Sequence, residues 1–186
     1  PYFGYQRQDR KDQPRVPITA KLVANLITTA GADRVMTMDL HSAQLQGFFD
    51  IPFDHLYAAP VLVDYFMRRQ ITNLIAVAPD IGSVKMARAY AKRLSVGLAI
   101  VDKRRPRPDA VEMMNVIGEV EGKNVVIFDD IVSTGATLVE SAEALKRAGA
   151  QEIYAACTHA VLCGSATQRI GSSTIRELIV TDSIPH

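Results

Sequence analysis

The sequence predicts an α/β fold built on parallel strands, and three observations carry that prediction. Short apolar runs alternate with stretches of helical spacing, the pattern of strand–helix–strand units. The strongest run, Val125-Val-Ile-Phe128, shows no polar alternation, so it reads as a strand covered on both faces. Five strands end in acid: at Asp39, at Asp80, at Asp102, at Asp129 with Asp130, and at Asp182. Ligands of open α/β sheets bind just outside the carboxyl ends of the strands. Helix capping accounts equally well for some of these acids, Asp102 and Asp182 first.

Composition narrows the function classes. The chain has 186 residues, 48% hydrophobic, enough to bury one sizeable core and part of a second. Its net charge of +1 does not make the surface a nucleic-acid footprint. No apolar run approaches a membrane span, and no segment reads as a signal peptide. Cys157 and Cys163 match neither a metal nor a redox motif. A reduced, cytoplasmic compartment is therefore the expectation. The first residue is Pro1, and Tyr2-Phe3-Gly4-Tyr5 reads as the tail of a strand already under way. A fragment of a longer protein is expected.

Taken in order, Gln6 to Arg15 is polar and highly charged. It is a solvated loop or an anion-binding loop, with Arg7 and Gln8 best placed for the second role. A helix follows from about Thr19 to Ala30, its apolar stripe drawn through Ile18, Leu22 and Leu26 with Val23, Ile27 and Ala30. Val35 to Asp39 is a strand, and His41 follows two residues later. Asp39 and His41 could face one cation, although a lone histidine at a strand end is more often structural. Gln44 to Tyr57 reads as a partly buried loop, with a domain boundary near Tyr57–Pro60.

A second alternating series begins with a helix over Val61–Arg69, a strand over Leu74–Asp80 and a helix ending at Leu94. The strand Leu98–Asp102 leads into Lys103-Arg-Arg-Pro-Arg-Pro108, a cationic loop whose charges repel unless a polyanion holds them. Val111–Ile117 and Val125–Phe128 flank the turn 119–123, which suggests a β-hairpin. Strands over Ile153–Thr158 and Glu177–Thr181 complete the series.

The organising stretch is Val125 to Leu138. Asp129 and Asp130 close the strand, and Ser133-Thr-Gly-Ala-Thr137 leads into a helix over about Leu138–Ala148. Backbone N–H groups and three hydroxyls at a helix N-terminus suit a phosphate dianion. Gly135 permits close backbone approach or a positive φ. The two acids cannot bind phosphate, so sugar hydroxyls or a cation fall to them. A phosphorylated sugar fits both halves. An ordinary strand–turn–helix with Ser or Thr as N-cap has the same local sequence.

Several stretches together resemble one family. Tyr2-Phe-Gly-Tyr-Gln-Arg-Gln-Asp-Arg-Lys11, Met38-Asp-Leu-His-Ser42, Gln46-Gly-Phe-Phe-Asp-Ile-Pro52, Ala78-Pro-Asp80 and Val126 to Thr137 resemble the ribose-phosphate diphosphokinases (phosphoribosyl diphosphate synthetases). The resemblance implies two tandem phosphoribosyltransferase-like domains with parallel sheets. The first, over 1–57, is incomplete; the second covers 58–186. It implies transfer of the diphosphoryl group of ATP to the C1 hydroxyl of ribose 5-phosphate, with Mg²⁺ as cofactor and dimers assembling into hexamers. Arg7 and Gln8 match ATP-contacting positions, and His41 and Asp80 match the magnesium site. Lys103 and Arg105 match the catalytic pair. Arg105, Asp129, Asp130, Ser133, Thr134, Gly135, Ala136 and Thr137 match the ribose 5-phosphate site. Two departures stand out: many bacterial members carry Asp where this chain has Ser133, and Gly where it has Ala136. A phosphoribosyltransferase and a non-catalytic regulatory paralogue are the competing readings. The first leaves the upstream ATP-type residues unexplained, and the second would be expected to lose the cationic loop.

Overall fold

The computed structural model describes residues 2–11, 13–104 and 113–185. They form two compact units, Pro1–Ala58 with Asp182–His186, and Ala59–Thr181.

In the first unit, α1 (Thr19–Thr29) precedes a short parallel pair, β1 (Val35–Met38) and β2 (Phe53–Leu56). A 3-10 turn over Ala43–Phe48 links them. The helix lies where the sequence places it, but its buried face differs. Ala20 and Ala24 are buried, and Val23 and Ile27 pack with Phe3, Leu40, Leu45, Phe48 and Phe53. Leu22 and Leu26 are 47% and 58% exposed. The i, i+3, i+4, i+7 stripe starting at Ala20 is equally regular, and its two alanines let the helix approach closely. The span 44–57, expected as loop, contains the 3-10 turn and β2.

The second unit is a six-stranded sheet of β3 (Leu74–Ala78), β4 (Gly97–Arg104), β5 (Met113–Ile117), β6 (Asn124–Val132), β7 (Ile153–Ala160) and β8 (Ile175–Val180). The order is β5-β4-β3-β6-β7-β8. Only β5 runs antiparallel, and it pairs with β4. The expected hairpin of Val111–Ile117 with Val125–Phe128 is therefore replaced. The true hairpin joins β4 to β5 across the cationic segment, and the turn at 119–123 is a connection to the sheet centre. Burial decides it. Val125 to Phe128 are all fully buried, so β6 takes a central place with parallel neighbours on both sides.

Helices cover both faces. Val125 and Ile127 share a core with Leu138, Ala142 and Leu145 of α4 (Ala136–Arg147) and Ile170 of α5 (Ala166–Gly171). Phe128 points the other way. It stacks on Tyr90 of α3 (Val84–Leu94) at 3.9 Å and meets Phe66 of α2 (Ala59–Arg69) edge-on at 5.7 Å. The period-2 alternation of one strand thus glues two helical layers together. The short α5 buries Ala166 and Ile170.

Candidate functional site

The sheet order creates a crevice. From β3 the chain winds outward to β4, and from β6 it winds the opposite way to β7. β3 and β6 are nonetheless neighbours, so their carboxyl ends flank a topological switch point, where such sheets bind ligands. The sequence puts Asp80 after one strand and Asp129 and Asp130 on the other.

The acids differ from expectation in one respect. β6 extends to Val132, so Asp129 and Asp130 lie within the strand and Asp129 pairs in register with Cys157. They are half-buried, and Asp129 Oδ1 accepts the Asp130 N–H at 2.9 Å. Burial pushes the Asp129 carboxyl up to about 8, with the Asp130 and Asp80 charges adding to it. Burial, reinforced by Asp129, pushes the Cys157 thiol up to about 12, so that thiol is inert. Asp80 is exposed; its Oδ1 accepts from the Ser83 N–H at 2.8 Å and the Ser83 hydroxyl at 2.9 Å. A crevice in which burial and neighbouring carboxylates raise the proton affinity of Asp129 favours a cation or hydroxyl donors over an anion at that point.

The loop beyond the acids has the opposite preference. Gly135 is the N-cap residue of α4, with φ 72° and ψ 1°, and among the described residues no side chain caps the helix. The Thr134 hydroxyl approaches it, accepting from the Ala136 N–H at 3.5 Å. The helix therefore begins at Ala136, two residues before the expected Leu138, and leaves its first-turn N–H groups for a ligand. Gly135 is required twice over. Its φ is positive, and a Cβ there would lie 3.0 Å from two carbons of Ile170. Ser133 and Ala136 are half-buried, whereas Thr134 and Thr137 are exposed. Acid-lined strand and uncapped helix stand side by side, an arrangement suited to a molecule with hydroxyls at one end and phosphate at the other.

The other sequence candidates fall elsewhere. Lys103 lies within β4, its backbone in register with Met114. Arg105 lies outside the described residues. Arg7, Gln8 and His41 belong to the first unit and are exposed. There, the buried Gln6 side chain joins two of the candidate loops, its Oε1 accepting the His41 N–H at 2.7 Å. Asp39, with φ 39°, uses Oδ2 to accept the Ala58 N–H at 3.0 Å. His55, which the sequence reading missed, accepts the Leu40 N–H on Nε2 at 2.9 Å. That nitrogen therefore carries no proton, and burial holds the imidazole below its ordinary pKa despite the nearby Asp39 charge. No motif flags His55, because its role is to hold a backbone. Among the described residues no three His, Cys, Asp or Glu side chains converge as a metal-binding group.

Comparison with known proteins gives concordant matches. The family described as phosphoribosyl transferase domain matches residues 62–184, and the N-terminal domain of ribose phosphate pyrophosphokinase matches residues 1–31. The chain is 57% identical to a ribose-phosphate pyrophosphokinase of Chlorobaculum tepidum, covering 99% of this chain and 57% of that protein. It is 56% identical to the protein of the same name from Bacillus caldolyticus, covering 99% and 58%. The crystal structure of phosphoribosylpyrophosphate synthetase from Mycobacterium smegmatis superposes with a TM-score of 0.92 at 40% identity, over 100% of this chain and 60% of that one. An adenine phosphoribosyl transferase from Trypanosoma brucei shares the fold, with a TM-score of 0.51 at 19% identity over 66% of this chain and 62% of its own. The chain thus spans about three fifths of the length of its pyrophosphokinase relatives.

Proposed function

Because the chain belongs to the phosphoribosyl transferase domain family, in its ribose-phosphate pyrophosphokinase branch, we propose that the whole protein transfers the diphosphoryl group of ATP to ribose 5-phosphate. The products are 5-phosphoribosyl 1-diphosphate and AMP. The observation that carries this reading is the strand–loop–helix over 124–147, with Asp129 and Asp130 on the strand and an uncapped helix N-terminus behind them. It stands in one chain with the N-terminal domain match.

In this reading the 5-phosphate sits on the loop Ser133–Thr137, accepting from the α4 N–H groups and the Thr134 and Thr137 hydroxyls. Asp129 and Asp130 accept hydrogen bonds from the ribose hydroxyls and so fix the ring. The sugar C1 oxygen attacks the β-phosphorus of ATP. The bond from that phosphorus to the oxygen bridging the α- and β-phosphates breaks, AMP departs with that oxygen, and the C1 hydroxyl loses its proton. Arg7 and Gln8 hold the nucleotide. Lys103 and Arg105 supply positive charge where it develops on the transferring group, the dominant aid to reactions of this type. β4 runs parallel to β3, so its last residues, Lys103 and Arg104, lie at the end of the sheet that carries the acids.

The donor chemistry fits Mg²⁺. Hard carboxylate oxygens line the crevice, and a cation would neutralise the neighbouring charge that, after burial, raises the Asp129 carboxyl. Asp80 would hold the ion in this crevice, and His41, in the first unit, is the other position that the family resemblance assigns to metal. When bound, the ion screens the phosphates and orients them for in-line displacement. An oligomer of identical subunits, dimers assembling into hexamers, is part of the same proposal.

Phosphorus NMR of the whole protein with ATP, ribose 5-phosphate and Mg²⁺ tests the reading. AMP together with a diphosphate on sugar C1 is expected. ADP would mean simple phosphoryl transfer and would overturn it. Consumption of added sugar diphosphate only when a nucleobase is supplied would point to a phosphoribosyltransferase.

A further inference from the structure

Behind the loop 133–137 lies a second layer that the proposed reaction does not use. Three successive carbonyls are held from one segment of chain. The Leu162 N–H donates to Val132 O at 3.1 Å, the Cys163 N–H donates to Ser133 O at 3.0 Å, and Arg169 Nη1 donates to Thr134 O at 2.5 Å. The first two donors are backbone groups of the turn after β7; the third is a side chain on α5. Ile170, the next residue, closes against Gly135.

The third contact has a directional consequence. In a trans peptide the C=O and the following N–H lie in one plane and point opposite ways. Fixing Thr134 O against Arg169 therefore aims the Gly135 N–H away from α5. Among the described residues that N–H makes no hydrogen bond. The Thr134–Gly135 peptide is also the one most free to turn over, because glycine accepts either sign of φ. A flip would replace the N–H facing the anion site with a carbonyl, which repels phosphate. Among the described residues the Arg169 side chain makes no other hydrogen bond and no ion pair. A surface arginine committed solely to one loop carbonyl is not explained by packing.

We propose that Arg169 is a positioning residue for the phosphorylated substrate: it latches the Thr134–Gly135 peptide in the orientation that presents the Gly135 N–H to the 5-phosphate. The proposal rests on the reading that ribose 5-phosphate binds this loop.

The test uses the whole protein with Arg169→Leu and Arg169→Lys. Ribose 5-phosphate binding is first measured calorimetrically on the unaltered protein; no binding there overturns the underlying reading and this inference with it. Given binding, Arg169→Leu should raise the Kd and KM for ribose 5-phosphate about ten- to hundredfold, the range for a lost charge-assisted hydrogen bond. The KM for ATP should stay within about twofold. Arg169→Lys, which keeps a donor, should recover part of the loss. A crystal structure of Arg169→Leu should show the 134–135 peptide turned over. An unchanged ribose 5-phosphate Kd in Arg169→Leu would overturn the inference alone. So would an equal loss for ATP and sugar, which would mean that Arg169 merely supports the fold.

Discussion

Replacing Asp129 by Asn should make the protein more stable while destroying its proposed activity. The Asp129 carboxyl is raised from 3.8 to about 8, first by burial and then by Asp130. The folded-state value exceeds the unfolded one, so the folded state binds the extra proton between those limits. Stability therefore falls as pH rises through the window from 3.8 towards 8, and the penalty is absent below it. Each pH unit above the unfolded value costs about 1.4 kcal/mol, which gives an upper bound of about 4 kcal/mol at pH 7. Neighbouring carboxylates titrate together rather than singly, so roughly half of that, about 2 kcal/mol, is the expected gain. Asn keeps the oxygen that accepts the Asp130 N–H at 2.9 Å, so the strand loses no acceptor. Urea unfolding in EDTA without substrates, at pH 5, 6, 7 and 8, is the assay. At pH 7 the variant's midpoint should rise by about 1 M, and the gap between the two proteins should widen with pH. Parallel pH profiles for the two proteins would refute the argument, because they would show that Asp129 ionises in the folded state as readily as in the unfolded chain.

Three further outcomes follow from the same geometry. Gly135→Ala forces a side chain onto a φ of 72° and into Ile170; it should cost about 1–3 kcal/mol, read as a lower melting temperature in calorimetry, and an unchanged value would exclude strain at this turn. Lys103→Ala should lower turnover about 100-fold or more while ATP affinity, measured by calorimetry, stays within about threefold; unchanged turnover would remove Lys103 from the mechanism. His55 is held neutral, its pKa below the ordinary value, so the unfolded chain takes up a proton first as pH falls. Stability should therefore decline as pH drops below about 6.5, and His55→Phe should lose that component in a thermal-shift series.

How far the sequence carries this reading depends on which force decides each element. Where burial alone decides, it is legible. Val125 to Phe128 announce a central strand, and all four are fully buried. The turn before α4 is legible too, because the positive φ of Gly135 is a local requirement. Legibility ends where partners are chosen at a distance. α1 offers two helical stripes of similar regularity, and only the fit against Phe3 and Leu45 selects the one through Ala20. His55 and Arg169 hold backbone atoms 15 and 35 residues away, and a side chain that serves a carbonyl or an N–H leaves no spacing to read.

The misplaced hairpin bears most on function. Gly122 in a short turn between two apolar runs is a conventional hairpin signal, whereas a cationic stretch with two prolines is not. Sheet economy overrides both cues. β6 is needed at the centre with two parallel neighbours, so β5 is displaced to an edge, beside β4, where an antiparallel strand is tolerated. The consequence is mechanical. In the sequence reading Lys103 is the first residue of a loop; in the fold it is the penultimate residue of β4, in register with Met114. A lysine backbone fixed by a strand ladder loses less conformational entropy on meeting a substrate than one at a loop tip. Proline at Met114 and, separately, at Asn115 removes each backbone donor in turn, one of which faces β4 because successive N–H groups alternate sides; one of the two variants should therefore lower turnover without any change of charge. If turnover survives both Met114→Pro and Asn115→Pro, the position of Lys103 does not depend on the β4–β5 pairing.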